Sequence, residues 1–319
     1  MSLVKDPNNI RVAMLGMVDG NGHPYSWSAI INGDFDDQEM AKCPYAGIPQ
    51  YLTPGRSLLG IPGVKVTHVW CDDPGDSVKV SKASLVANVV QRPEDVIGKV
   101  DAVFVATDIG YEHVERCRPF IEAGIPVFID KPMVDSEDHL QQFVRWQKEG
   151  RPLMSSSAMR YAREYVDLSK RLPEVGDLRL IYTTMCKTWE RYGIHAMEGV
   201  YPLLKPGGWE SITHSGTRDH SVYHIHHNSG VEVVVPIIVD MYGGFGFTSV
   251  HGTKGSISAS FGDTLYAFKT QLEGFVQYLR TGKLPFAFDE TIELMKIIIA
   301  GLRSREQGGK KVMLSEIRA

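Results

Sequence analysis

Along the first half of the chain, short apolar runs alternate with segments whose apolar positions recur every three or four residues. Ile10–Val18, Val64–Cys71, Asp101–Thr107, Pro126–Asp130 and Pro152–Ser157 read as strands. The near-continuous apolar character of the first fits a strand buried on both faces. Between the last three, Glu112–Ala123 and Ser136–Glu149 read as helices, followed by Gly124 and Gly150 where helices commonly end. A short helix over Pro24–Asn32, closed by Gly33, follows the first strand. This β–α–β–α rhythm predicts an α/β domain, a doubly wound parallel sheet.

From Gly176 the pattern changes. Leu178–Cys186, Ser221–His227, Gly230–Met241, Gly246–Gly252 and Gly255–Phe261 read as strands with little helix between them. They predict a C-terminal α+β domain with a large, mostly antiparallel open sheet. Amphipathic helices are expected over Thr264–Thr281 and Asp289–Gln307. The expected division is 1–135 and 136–319, with 136–160, the first helix and sixth strand, packing back on the first sheet.

Composition narrows the function. The 319 residues carry 34 Lys plus Arg against 38 Asp plus Glu, a formal charge of −4. That balance argues against a nucleic-acid partner, whose affinity rests on neutralising phosphates. Cys43, Cys71, Cys117 and Cys186 form no CxxC pair, so neither a zinc knuckle nor a redox dithiol is expected. Reduced thiols, no secretory signal and no long apolar segment give the expectation of a cytoplasmic protein with no membrane partner.

After the first strand comes Gly16-Met-Val-Asp-Gly-Asn-Gly-His-Pro24. A glycine-rich turn between strand and helix lets the backbone approach a pyrophosphate. It makes Gly16, Val18, Asn21, Gly22 and His23 candidate cofactor contacts, although Val18 and Asn21 break the GxGxxG spacing. Asp72 and Asp73 end the second strand, where an acid accepts from ribose hydroxyls and repels a 2′-phosphate. NAD is therefore expected over NADP. The other reading of Asp-Asp-Pro-Gly is a solvated turn. The interval to these acids is lengthened by an insertion over 34–57, read as a flap, an oligomer contact or a surface excursion.

Asp101-Ala-Val-Phe-Val-Ala-Thr-Asp-Ile-Gly-Tyr-Glu-His113, then Glu122-Ala-Gly-Ile-Pro-Val-Phe-Ile-Asp-Lys-Pro132, resembles the Gfo/Idh/MocA oxidoreductase family, whose Glu-Lys-Pro stands here as Asp130-Lys131-Pro132. The run from Phe275 to Gly308 looks like the same family's closing pattern. The resemblance implies cofactor contacts at Thr107, Asp108, His113, Asp130 and Lys131, with Lys131 also catalytic. It implies a helix with Asp-x-x-x-His, matched by Arg191 and His195, so the catalytic histidine is kept and its acid is not. Glu190 and Glu198 are the candidate replacements. Arg191 in that place points to an acidic substrate, or to a structural role on the helix. Arg160, Tyr161 and Tyr192 are further candidate substrate contacts, and Trp189 is a sugar-stacking or core residue. His220, His224, His226 and His227 are expected to line the sheet or the substrate rather than to bind metal.

The function that follows is hydride transfer between NAD and a hydroxyl carbon of a sugar, sugar acid, nucleotide sugar or cyclitol. Proton transfer falls to Lys131 or His195, and the C-terminal sheet is expected to form a homodimer or homotetramer. Two rivals stand beside it. One is an NAD-assisted lyase, epimerase or glycosidase that retains its cofactor; the other is a non-enzymatic sensor of NAD or another ligand.

Overall fold

A computed structural model describes residues 1–319. Two compact units emerge, and neither is one continuous stretch. The first holds 1–130, 145–155 and 268–286; the second holds 131–144, 156–267 and 287–319. The chain passes between the two units five times, the first time between Asp130 and Lys131. Strands are β1 Ile10–Leu15, β2 Val64–Trp70, β3 Asn88–Val89, β4 Ala102–Val105, β5 Val127–Ile129, β6 Leu153–Ser155, β7 Leu178–Cys186, β8 Trp209–Gly216, β9 His220–His227, β10 Glu232–Ile238, β11 Phe247–Gly252, β12 Gly255–Ser260 and β13 Val312–Met313. Helices are α1 His23–Asn32, α2 Asp37–Met40, α3 Gly47–Leu52, α4 Pro74–Ala83, α5 His113–Glu122, α6 Glu137–Lys148, α7 Arg163–Lys170, α8 Ile194–Val200, α9 Thr264–Thr281 and α10 Phe288–Glu306.

The first unit is built on a six-stranded sheet in the order β3-β2-β1-β4-β5-β6, parallel throughout. Chain order reverses between β1 and β4, the place where open α/β sheets bind ligands beyond the strand ends. Its core is aromatic: Phe275 packs edge-on against Phe104 and Phe128 at centroid distances of 5.0 and 5.4 Å, and Trp27 reaches Phe128 at 5.5 Å. All four are essentially inaccessible to solvent, and each such side chain stabilises the unit by about 1.5–3 kcal/mol.

The second unit carries a seven-stranded sheet, β12-β11-β7-β10-β9-β8-β13, antiparallel except for β7 with β10. β10 holds Pro236 in mid-sheet, where it pairs with Val222 on β9. The β7 ladder runs up to Val234 and resumes at Ile237, so the missing N–H falls in a gap. β8 was not expected; its polar run Trp209-Glu-Ser-Ile-Thr-His nevertheless buries Trp209, Ile212 and His214.

Candidate active site

In the first unit, Gly16 follows β1 with φ +86°, and a Cβ there would lie 2.7 Å from Thr107 Cγ2. Only glycine fits both that conformation and that approach. Beside it a cavity of about 260 Å³ opens between Leu15, Gly16, Trp70, Val105, Arg116 and Phe120. Its walls are the ends of β1, β2 and β4 and the face of α5, and a flat apolar ring such as adenine suits them. Asp72 stands at the rim: Oδ2 accepts from Met17 N at 3.2 Å, and Oδ1 accepts from Arg116 Nη2 at 2.7 Å. Arg116 Nε donates in turn to Glu112 at 2.7 Å. Asp72 therefore keeps its place at the strand end, held by an arginine that its sequence context did not reveal. Asp73 is committed elsewhere, accepting from Gly75 N and Asp76 N at 2.7 and 3.1 Å as the N-cap of α4. What reads as a turn is a helix start, with Pro74 in the first helical turn.

The glycine turn is more closed than its composition predicts. Asn21 is buried; its amide donates to Asp130 Oδ2 at 2.9 Å and to Ala106 O at 3.3 Å, while its oxygen caps His23 N at 3.0 Å. Pro24 has no N–H, and Tyr25 N and Ser26 N both bond Gly22 O. The first N–H groups of α1 are thus used internally. His23 Nδ1 lies 2.6 Å from Asp130 Oδ2, and its ring stacks on Trp27 at 4.3 Å. Asp130 is wholly buried. Thr107 and His113 bond each other inside the protein, His113 Nε2 lying 2.8 Å from Thr107 O and 3.2 Å from its Oγ1; Asp108 is buried beside them in sequence.

The insertion over 34–57 folds as α2 and α3 and is no simple surface excursion. Tyr45 Oη donates to Val18 O at 3.4 Å, and a Cβ on Gly22 would meet Tyr45 Cδ2 at 2.4 Å and Ile48 Cδ1 at 2.6 Å. It lies directly on the glycine turn.

In the second unit, Lys131 is 3% exposed and joins Pro132 through a cis peptide bond. Its Nζ lies 5.2 Å from the centre of the Tyr192 ring. Trp189–Gly193 forms a π-helical turn and His195 is the second residue of α8, so the Arg191–His195 spacing does not fall on one regular helix. The ring that meets His195 is Tyr192, edge-on at 4.8 Å, with Phe245 closing the group 6.2 Å from His195. Arg191 is half-buried on that turn. Trp189 is core: it is 1% exposed, stacks on Tyr223 at 3.9 Å and donates to Ile298 O at 2.9 Å.

His195 Nδ1 lies 2.6 Å from Ser157 Oγ. Glu198 supports this contact from behind, accepting from Ser157 N at 3.1 Å and from Arg160 Nε. Arg160 also donates to Glu290 at 2.7 Å. Burial raises the Glu198 carboxyl pKa, with Arg160 pulling the other way. Burial likewise opposes the Arg160 charge, but Glu198 and Glu290 outweigh it and hold the guanidinium protonated. Arg160 is thus part of the support for His195, not an open substrate contact. Tyr161 is half-buried next to it, its phenol pKa raised by burial with the Ser156 hydroxyl opposing. Glu190, the other acid considered for His195, pairs with Arg305 at 2.6 Å. On β9, His224 and His226 share one carboxylate, Glu232, at 2.6 and 2.7 Å, an acid that sequence reading left out.

These features define a Rossmann-fold protein with a second α/β unit that gathers lysine, histidine and tyrosine. The comparisons agree with the fold. Residues 48–155 match the Gfo/Idh/MocA family, described as "Oxidoreductase family, NAD-binding Rossmann fold", which bears out the sequence resemblance. A protein of Amycolatopsis mediterranei (strain S699), named "Putative UDP-kanosamine synthase oxidoreductase subunit", is 27% identical over 107 residues, 34% of this chain and 30% of that protein. The chain therefore matches under a third of that relative's length. Myo-inositol 2-dehydrogenase from Lactobacillus plantarum has the same fold at 16% identity, covering 96% of this chain and 99% of that one, TM-score 0.73. GenD2 from gentamicin A biosynthesis, solved in complex with NAD, aligns at 17% identity over 96% of each chain, TM-score 0.71. No helix of this chain is long and apolar enough to cross a membrane.

Proposed function

We propose that the protein is an NAD-dependent oxidoreductase acting on a hydroxyl carbon of a sugar, sugar acid, nucleotide sugar or cyclitol. The observation that carries this reading is the convergence of Lys131, Tyr192 and His195, two proton-carrying side chains packed against one phenol ring. The residues of the first unit fit the cofactor at its adenosine end: Gly16 without a Cβ, the apolar cavity beside it, and the Asp72–Arg116 pair at its rim. Arg116 lies between Asp72 and Glu112, and Glu94 and Glu115 also line the cavity. One guanidinium among four carboxylates disfavours a 2′-phosphate, which supports NAD over NADP.

When bound, the nicotinamide supplies the hydride chemistry. The chain supplies the rest. Lys131 and His195 take part in moving the proton of the substrate hydroxyl, and Phe245 offers a flat face to a sugar or cyclitol ring. Ser157 orients His195. A hydroxyl both donates and accepts, so Ser157 supports either tautomer of the imidazole, where a carboxylate would support one.

The retained-cofactor reading has one observation in its favour, the seat of Tyr45 and Ile48 on the glycine turn, which would slow release. A second copy of the chain docking on the seven-stranded sheet completes the proposal. The test is NADH formation at 340 nm with myo-inositol, D-glucose, D-gluconate and UDP-glucose, alongside assay of NAD released on denaturation. Turnover lost in Lys131→Ala and His195→Ala supports the dehydrogenase. Stoichiometric retained NAD without net NADH replaces it with the lyase or epimerase.

A further inference from the structure

We propose that Tyr192 is a further catalytic residue, the group that touches the reacting oxygen of the substrate, and that Lys187 is its positioning residue. The proposal rests on the oxidoreductase reading for what the oxygen belongs to, but the pair itself stands on geometry.

Lys187 follows β7 with φ +62°, a left-handed conformation that side chains other than glycine's disfavour. Such strain persists where the surroundings over-determine it, and it clusters at functional sites. Here it turns the side chain onto Tyr192. Nζ donates to Tyr192 Oη at 2.6 Å and lies 4.3 Å from the ring centre. The backbone closes the same loop, with Tyr192 N bonding Thr188 O at 2.8 Å and Lys187 N bonding Val239 O at 3.2 Å. The π-helical turn at Trp189–Gly193 is a second local irregularity of the kind found at functional sites. It is pinned by the buried Trp189, whose ring would meet a Cβ on Gly193 at 2.7 Å and on Gly301 at 2.5 Å. Two departures from regular backbone, at Lys187 and over Trp189–Gly193, thus serve one phenol.

Because Lys187 donates, the Tyr192 oxygen accepts and keeps its own O–H to donate outward. In the reducing direction Tyr192 would give its proton to the substrate carbonyl oxygen, the bound cofactor supplying hydride to the carbon. The phenolate that remains is held by the Lys187 ammonium. The oxidising direction is the reverse: the Tyr192 phenolate, paired with the Lys187 ammonium, would take the hydroxyl proton while the bound cofactor accepted the hydride. Lys131 and His195 flank the same ring.

The test uses benzenesulfonyl fluoride, which transfers its sulfonyl group to an activated phenol oxygen with loss of fluoride, mapped by mass spectrometry on the full chain. Tyr111 and Tyr242, 60% and 65% exposed, are internal references. The expected result is labelling of Tyr192 at least tenfold faster than either reference, lost in Lys187→Met and restored in Lys187→Arg. Labelling no faster than the references, or unchanged in Lys187→Met, overturns the pairing. On whichever substrate reduces NAD, Tyr192→Phe is expected to lower kcat about 100-fold with the NADH Kd unchanged; a wild-type kcat overturns the catalytic role. Failure of NADH to bind the wild type sinks the oxidoreductase reading separately, whatever the labelling shows.

Discussion

His195 and Ser157 face each other across 2.6 Å, imidazole Nδ1 to hydroxyl oxygen, and Met159 N donates to the same hydroxyl at 3.1 Å. The serine is fixed by its own backbone, through the bond of its N–H to Glu198. A sequence expectation of a carboxylate paired with the histidine is met by a relay of another kind, in which the carboxylate holds the serine and the serine holds the ring.

Ser157→Ala is therefore expected to lower kcat by roughly 10–100-fold, the usual effect of losing an orienting partner, with little change in NADH affinity. Steady-state kinetics beside a fluorescence titration measures both. An unchanged kcat would mean that the ring is held by packing against Tyr192 and Phe245.

The Asp130 carboxylate accepts from both Asn21 and His23 with no exposure to solvent. Asp130→Ala leaves two donors facing a void and is expected to destabilise the first unit by about 2–5 kcal/mol. Urea unfolding of wild type and variant checks it. A loss under 1 kcal/mol would contradict the structural role.

Burial lowers the His214 imidazole pKa below its usual 6.5. The folded chain then holds fewer protons than the unfolded one in the window just below pH 6.5, so stability from this group is full above that pH and falls as pH drops. Unfolding free energy is expected to rise between pH 5.5 and 7, by at most about 1.4 kcal/mol per unit from this one group, and less steeply in His214→Asn. Denaturant midpoints across that range test it.

Burial raises all four thiols, Cys71 to about 12, and Cys43, Cys117 and Cys186 in the same direction. Native protein at pH 7.5 is expected to show no fast-reacting thiol toward a disulfide reagent, and four after unfolding. One rapid equivalent in the native state would point to a thiol the fold leaves open.

Much of this fold was legible from periodicity. The buried parallel strands announce themselves as apolar runs, and α9 and the strand Leu178–Cys186 end where their patterns end. What stayed hidden depends on partners distant in sequence. Asp73-Pro74-Gly75 reads equally as a turn and as a helix start, and only packing of Val80 and Ala83 decides for α4. β8 carries too many polar residues to stand out until it pairs with β9. In the site, Lys131, His195 and Tyr192 were visible through their motifs. Ser157, Lys187, Arg116 and Tyr45 had no local signal, since each acquires its role from a residue brought to it by folding.

The most direct test of the central claim is an equilibrium fluorescence titration of the wild type and Asp72→Ala with NADH and, separately, NADPH. The account predicts saturable binding of NADH, at least tenfold tighter than NADPH, and a weaker NADH complex in the variant. Binding of neither nucleotide would contradict it, leaving a Rossmann unit whose closed glycine turn no longer admits the dinucleotide.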